Sequence, residues 1–368
     1  MVKCPFRLTR KLDVVHPADF SVNGVLGVGG CGVVVDANTA ESRFALKAAM
    51  RMEEQQKVRD VLAFADTNFV AGAKYMCKGP NKSAAVYYGM DTAIGDLDSV
   101  IPDCLTNEEA AISYSIQAAK AVEYFHSIGF IHFDIKPTNF LLASDYTLRL
   151  SDVDSLIPVG ESIFYRAERD RGTYEYCAPE VLVCKKMSKY SDLWSLGATI
   201  FELFYPGCLI SHSVKDRKQE LRKKECRRQA CDRRRINQKI ELVKSEDAKK
   251  MLRSLLNQDP LKRKRITEIL DSLTIETRTI AQHIPALSSH LWAIESNQSQ
   301  RYNRKMFKCK TNCTFGDNFY YDDAFHLARV AARDKHSGRF SKRPIPRPKE
   351  KSAVKRKFPN RRIPSHGL

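Results

Sequence analysis

Eight consecutive residues, His132-Phe133-Asp134-Ile135-Lys136-Pro137-Thr138-Asn139, gather groups able to do chemistry. Apolar runs flank them, Ile128 to Ile131 before and Phe140 to Ala143 after, so they read as a loop bracketed by buried segments. Such a loop brings to one end of a core a proton acceptor (Asp134), a cation for a shifting phosphate (Lys136) and an amide oxygen for a hard metal ion (Asn139). Taken alone, the octapeptide also reads as an ordinary polar turn between strands. Two further stretches add charge. Lys47 ends the strand-like Phe44-Ala45-Leu46-Lys47, and Leu148-Arg149-Leu150-Ser151 leads into Asp152-Val153-Asp154, eighteen residues after Asp134. Near the start, Gly27-Val28-Gly29-Gly30-Cys31-Gly32 is a turn inside the strand-turn-strand pattern Val22 to Val35. Its glycines let backbone N–H groups approach a phosphate closely. The continuation Gly32-Val33-Val34-Val35 is strand-like, which disfavours a dinucleotide-binding turn, where a helix would follow.

The elements that must position these groups follow from periodicity. Ala48 to Phe64 has helical character and carries Glu53 and Glu54, and Phe69 to Cys77 and Ala84 to Met90 read as strands, with Asp91 to Gly95 the expected hinge after them. Leu105 to Ile128 is a long helical pattern, and Leu193 to Phe204 is an apolar stretch interrupted by Glu202, expected as a buried helix rather than a membrane span. Lys215 to Lys239 has helical propensity but shows no apolar stripe, and is expected as a solvated helix face or loop insert in preference to a docking surface.

Read in order, the motifs resemble those of the eukaryotic serine/threonine protein kinases. The glycine-rich turn with Val34 resembles G-x-G-x-x-G-x-V, Phe44 to Lys47 resembles V-A-I-K, the octapeptide resembles the catalytic loop, and Asp152 to Asp154 occupies the place of D-F-G. Gly172-Thr173-Tyr174-Glu175-Tyr176-Cys177-Ala178-Pro179-Glu180 resembles the segment ending in A-P-E. Asp192-Leu193-Trp194-Ser195-Leu196-Gly197 resembles the opening of the central helix, and Leu255 to Arg263 a late segment whose Arg pairs with the Glu of A-P-E. Lys136-Pro137 and Thr173 resemble the serine/threonine branch, and the compact, divergent form resembles kinases encoded by large DNA viruses.

The resemblance implies a bilobal α+β fold, with a small β-rich N-terminal lobe and a larger, mainly α-helical C-terminal lobe. It implies ATP and Mg²⁺ as cofactors and protein hydroxyls as acceptors. Leu26, Gly27, Gly29, Gly32, Val34, Ala45 and Leu141 would surround the nucleotide, and Lys47 would reach its α and β phosphates. Glu54 would pair with Lys47, with Glu53 as the alternative. Asp134 would be the base, Lys136 would neutralise the moving phosphoryl group, and Asn139 and Asp152 would hold Mg²⁺. The chain departs from the family pattern at Phe133, where Arg is usual, at Val153 for Phe and at Asp154 for Gly. Glu54 also lies only seven residues past Lys47, tighter than the family spacing. These departures support a second reading, a catalytically inactive kinase-fold scaffold.

The chain has 368 residues, 43% of them hydrophobic and 28% charged, as expected of a soluble globular protein. Its 61 Lys and Arg outnumber 43 Asp and Glu to give +18, so acidic proteins or polyanions are expected partners. On that charge alone, a nucleic-acid-binding protein unrelated to kinases is a third reading, which leaves the ordered motifs unexplained. Eleven Cys without regular spacing and no apolar leader point to reduced thiols in an intracellular compartment. Cys309, Cys313, His326 and His336 fit no strong zinc signature. The domain expectation is a kinase domain over 20–275 (N-lobe 20–92, C-lobe 93–275), an extension over 276–328 packed on the C-lobe, and a basic, disordered tail over 329–368. Polyanion or nucleic-acid contact is expected through Lys215–Lys239 or Arg329–Leu368, and the tail favours the nucleus over the cytoplasm.

Overall fold

The computed structural model describes residues 13–15, 20–29, 32–48, 61, 65–78, 86–160, 162–166, 172–211, 219–273 and 307–314. Six strands open the chain: β1 (Asp13–Val15), β2 (Ser21–Gly29), β3 (Gly32–Asn38), β4 (Arg43–Ala48), β5 (Ala73–Lys78) and β6 (Val86–Met90). They form one sheet in the order β1-β5-β6-β4-β3-β2, with the late strand Phe307–Thr314 antiparallel to β2 at its edge. The hairpin of β3 and β4 is tied by a buried carboxylate. Asp36, 1% exposed, accepts two hydrogen bonds from the Arg43 guanidinium at 2.8 and 2.9 Å. Such a bidentate pair fixes register as well as adding energy. Phe69 to Cys77 is not one strand, because Phe69 lies in a turn and β5 begins at Ala73. Val70 bridges instead to Leu150, beyond Gly95 in the mainly helical part.

From Gly95 onward helices dominate. The short strand β7 (Gly95–Asp96) leads into α1 (Leu97–Cys104), which the hydropathy reading passed over. Asp96 caps it by accepting from the Ser99 N–H at 2.9 Å. The long helical pattern from Leu105 starts later than expected, as α2 (Glu108–Ser127), because Asn107 caps it and Glu108 and Glu109 supply acid to its first turn. Then come β8 (Phe130–Ile131), β9 (Phe140–Leu142), β10 (Leu148–Leu150), β11 (Ile157–Pro158), β12 (Tyr165–Arg166), α3 (Pro179–Cys184), β13 (Lys186–Met187) and α4 (Lys189–Phe204). The chain goes on through α5 (Gln219–Cys231), α6 (Arg233–Glu241), α7 (Glu246–Leu255) and α8 (Ile266–Asp271). The protein is thus bilobal, with a β-rich N-terminal part and a mainly helical C-terminal part.

Helix α4 is the centre of the second lobe. Trp194, Leu196, Phe201 and Leu203 are wholly buried, and each contributes on the order of 1.5–3 kcal/mol by leaving water. Its Gly197 is packed so closely on Leu255 and Leu256 that a Cβ would approach Leu256 Cδ2 to 2.8 Å. The basic stretch is not a uniformly solvated helix. Asp232 breaks it into α5 and α6, and Cys226, Ala230, Ile236 and Ile240 are buried. The apolar residues there are few but stand on one side, a pattern that the surrounding Lys and Arg obscure in sequence. Among the described residues no helix is long and apolar enough to cross a membrane. Of 276–328, the described strand Phe307–Thr314 lies on the N-terminal sheet, and the tail 329–368 lies outside the described residues.

Candidate active site

The loop of Asp134 is held from below by Asp192, at the start of α4. Asp192 is 1% exposed and accepts from the backbone N–H of His132 and of Phe133, both at 2.8 Å, while His126 Nε2 lies 2.9 Å away. A carboxylate entering an otherwise apolar helix was the sequence signal for this clamp. Its partners, 60 and 59 residues away, could not be read there. The clamp also explains a strained residue. Phe133 has φ 68, a left-handed conformation that costs a bulky side chain on the order of 1–2 kcal/mol, and it persists because its own N–H and that of His132 are fixed. His132 Nε2 meets the Ser151 carbonyl at 2.7 Å, and the Ser155 hydroxyl donates to the His132 carbonyl at 2.8 Å, so the loop is joined to the Asp152 segment.

On this frame three of the expected residues converge. Asp134 Oδ2 accepts from Lys136 Nζ at 2.6 Å, and Asp134 Oδ1 accepts from the Thr173 hydroxyl at 3.0 Å. Lys136 Nζ lies 3.0 Å from the same hydroxyl. Asn139 Nδ2 donates to the Asp134 carbonyl at 2.6 Å and to Oδ2 at 3.2 Å, which leaves the Asn139 amide oxygen without a hydrogen bond from the described residues. Thr173 reaches Asp134 because Gly172 turns the chain at φ +81. A Cβ there would sit 3.0 Å from the Phe133 carbonyl, so both the conformation and the close approach call for glycine.

The second part of the site joins the lobes. Lys47, on β4 and 6% exposed, places Nζ 2.6 Å from Asp152 Oδ1 and 5.9 Å from the centre of the Tyr88 ring. Asp152 has φ 62, a region Asp tolerates better than most residues. Burial pushes its carboxyl pKa up, but Lys47, His132 and Lys136 together hold it below the ordinary carboxylate value. Asp152 Oδ2 accepts no hydrogen bond from the described residues. Ser151 N and Oγ both donate to the Asn139 carbonyl at 2.8 Å, which draws Asp152 towards Asn139.

Around these charges, Gly27 pairs with Val34 and Gly29 with Gly32 across the β2–β3 hairpin, and a Cβ added to Gly27 would meet nothing within 4 Å. Val34 pairs with Lys47, Ala45 with Met90, and Leu141 with Asp96 on the small sheet of β7, β9 and β10; Leu26 is partly buried on β2. Glu54 and its alternative Glu53 lie outside the described residues, as do Gly30 and Cys31 of the turn. Farther off, Arg263 grips Glu180 through two bonds of 2.7 and 2.8 Å with its guanidinium over Trp194, as the late segment implied.

Fold and motifs together define a protein kinase domain, and comparison with known families agrees. A family model described as "Protein kinase domain" matches residues 20–274, and the chain belongs to that family. It is 32% identical over 201 residues to 3-phosphoinositide-dependent protein kinase 1 of Homo sapiens, an overlap covering 51% of this chain and 36% of that protein. It is 29% identical over 220 residues to serine/threonine-protein kinase MRCK alpha of Mus musculus, covering 55% of this chain and 13% of the relative. The chain spans half or less of the length of the curated relatives it matches. It is therefore a divergent kinase domain related to serine/threonine kinases.

Proposed function

We propose that the chain is an ATP-dependent serine/threonine protein kinase in which Asp134 receives the proton of the acceptor hydroxyl. The observation that carries this reading is the Asp134 carboxylate standing between the Lys136 ammonium and the Thr173 hydroxyl on a clamped loop. In that place Asp134 orients an incoming hydroxyl, and Lys136 supplies a cation beside the oxygens that gain charge as the phosphoryl group moves. Lys47 offers its ammonium to the α and β phosphates at the lobe junction. The open face at Gly27, with Leu26, Gly29, Gly32, Val34, Ala45 and Leu141 around it, leaves room for a nucleotide. Asp152 Oδ2 and Asn139 Oδ1 are hard oxygen donors not engaged by the described residues, the donor chemistry that suits Mg²⁺. The ion, when bound, supplies positive charge to the phosphate oxygens.

The test is transfer of labelled γ-phosphate to a generic protein, comparing wild type with Asp134→Asn. Transfer by wild type that falls at least a hundredfold in the variant is expected. Equal transfer by both would remove Asp134 from its role. Phe133 and Asp154 favour the second reading, a non-catalytic scaffold, which predicts nucleotide binding without transfer by either protein. The Lys and Arg runs over 329–368 suit nuclear import or polyanion binding, and intracellular protein substrates are proposed on the same footing.

A further inference from the structure

Helix α5 touches the segment that carries Thr173. Arg222 Nε lies 2.5 Å from Glu175 Oε1, Gln219 Nε2 donates to the Tyr174 hydroxyl at 2.8 Å, and Lys223 Nζ stands 5.8 Å from the centre of the Tyr174 ring. The start of α5 is thereby fixed one and two residues from Thr173, whose hydroxyl bonds Asp134. Between Gln219 and Glu241 there are nine Lys and Arg against four Asp and Glu, so this surface keeps an excess of positive charge after its own acids are used. Arg228 is paired with Glu225 at 2.7 Å, and Lys239 donates to the carbonyls of Cys208 and Leu209. Of the remaining five, Arg235 is half-buried. Lys224, Arg227, Arg233 and Arg234 are all exposed and, among the described residues, make no ion pair. Leu221, 44% exposed, stands one turn before Lys224 on the same side of the helix.

Resting on the kinase reading, we propose that this face of α5 and the start of α6 holds an acidic segment of the protein substrate while the acceptor hydroxyl lies at Asp134. Charge complementarity and fixed geometry favour such an occupant. Lys224 and Arg227 lie on the helix docked beside Thr173 and Arg233 and Arg234 at the start of the next, and the packed sides of both helices prevent these cations from turning inward to acids of their own lobe. At about 3.3 Å per extended residue, carboxylates four to eight residues along the peptide would lie roughly 13–26 Å from the acceptor hydroxyl. An acidic peptide fits this arrangement better than a nucleic acid, because the same chain has to present a hydroxyl at Asp134. Exposed pairs are individually weak, so selectivity has to come from several carboxylates engaging several cations and should weaken with salt.

The experiment uses the full chain and two acceptor peptides, one with Glu at positions four to eight from the acceptor and one with Ala there. For wild type at low ionic strength, kcat/KM for the acidic peptide is expected to exceed that for the Ala peptide by at least tenfold, a ratio that shrinks with added NaCl. In K224E/R227E the ratio should collapse to about twofold or less, and in K224R/R227K it should persist. A ratio unchanged in K224E/R227E overturns the proposal. Fluorescence anisotropy with the labelled acidic peptide separates this from failure of the kinase reading. Binding that K224E/R227E abolishes, in a protein that transfers phosphate to neither peptide, keeps the surface and removes the activity. A mixed-sequence single-stranded oligonucleotide that binds this face as tightly as the peptide, and is lost in the same variant, would replace the acidic peptide with a polyanion and overturn the assignment.

Discussion

At the Asp134 end of the site the backbone is clamped from a buried helix, whereas at the Lys47 end a strand cation meets a carboxylate contributed by the other lobe. Asp192 grips two consecutive N–H groups, and the Asp134 side chain is then bounded by Lys136, Asn139 and Thr173. Lys47 and Asp152, 105 residues apart, meet at 2.6 Å where the lobes adjoin. The first end is positioned by packing within one lobe. The second depends on how β4 and the Asp152 segment face each other, so any relative motion of the lobes changes it while leaving the Asp134 loop intact. Under the proposed activity, this contrast would separate a fixed centre for the acceptor from an adjustable centre for phosphate.

Breaking the adjustable end should have the largest effect on rate. Lys47→Met and Asp152→Asn are each expected to lower phosphoryl transfer by about 10² to 10³ while the melting transition remains cooperative. Turnover above about a tenth of wild type in either variant would contradict its proposed role. Breaking the rigid end should show first in stability. Asp192→Ala orphans the N–H groups of His132 and Phe133 in a dry site, an expected loss of about 2–5 kcal/mol that chemical denaturation would read. A loss below about 1 kcal/mol would mean the loop holds its strained Phe133 by other means.

pH separates the two ends further. Because the folded Asp152 carboxyl titrates below its unfolded value, its contribution to stability is fully present above the unfolded pKa and fades as pH falls through the folded one. The stability difference between wild type and Asp152→Asn should therefore be widest near neutrality and narrow under acid. A difference that grows on acidification would reverse the sign assigned here.

The smallest expected effect concerns Phe133. A buried phenyl ring, with Cε1 3.8 Å from where a Gly172 Cβ would stand, occupies the place of the family's Arg and cannot pair with a phosphate. Activity is thus expected to change by no more than about threefold when a phosphatase strips the 155–171 segment, checked by mass spectrometry and rate measurement. A loss above tenfold, about 1.4 kcal/mol, would show that Arg166 or another cation receives a phosphate there.

Much of this was legible in the residues alone. The order of motifs from Gly27 to Arg263, the strands at the glycine-rich turn and the buried character of Leu193–Phe204 follow from local spacing and periodicity, which a sequence carries directly. So did the closeness of Asp134, Lys136 and Asn139, because five residues of loop cannot separate them far. Helix α1 was not legible, since Pro102 and an ordinary Asp96 cap mask only about two turns of apolar contact, at Leu97, Val100 and Cys104. The packed side of α5 and α6 was hidden by the surrounding charge. The contacts that decide the site join residues far apart in sequence: Lys47 with Asp152, Thr173 with Asp134, Asp192 with His132 and Phe133, and Arg222 with Glu175. Residue types limit which of these pairs are chemically sensible. Only the packing of α4 beneath the loop, and of α5 against the Thr173 segment, selects among the many carboxylates and cations that would have served, because burial makes an unpaired charge costly and leaves few partners within reach of each.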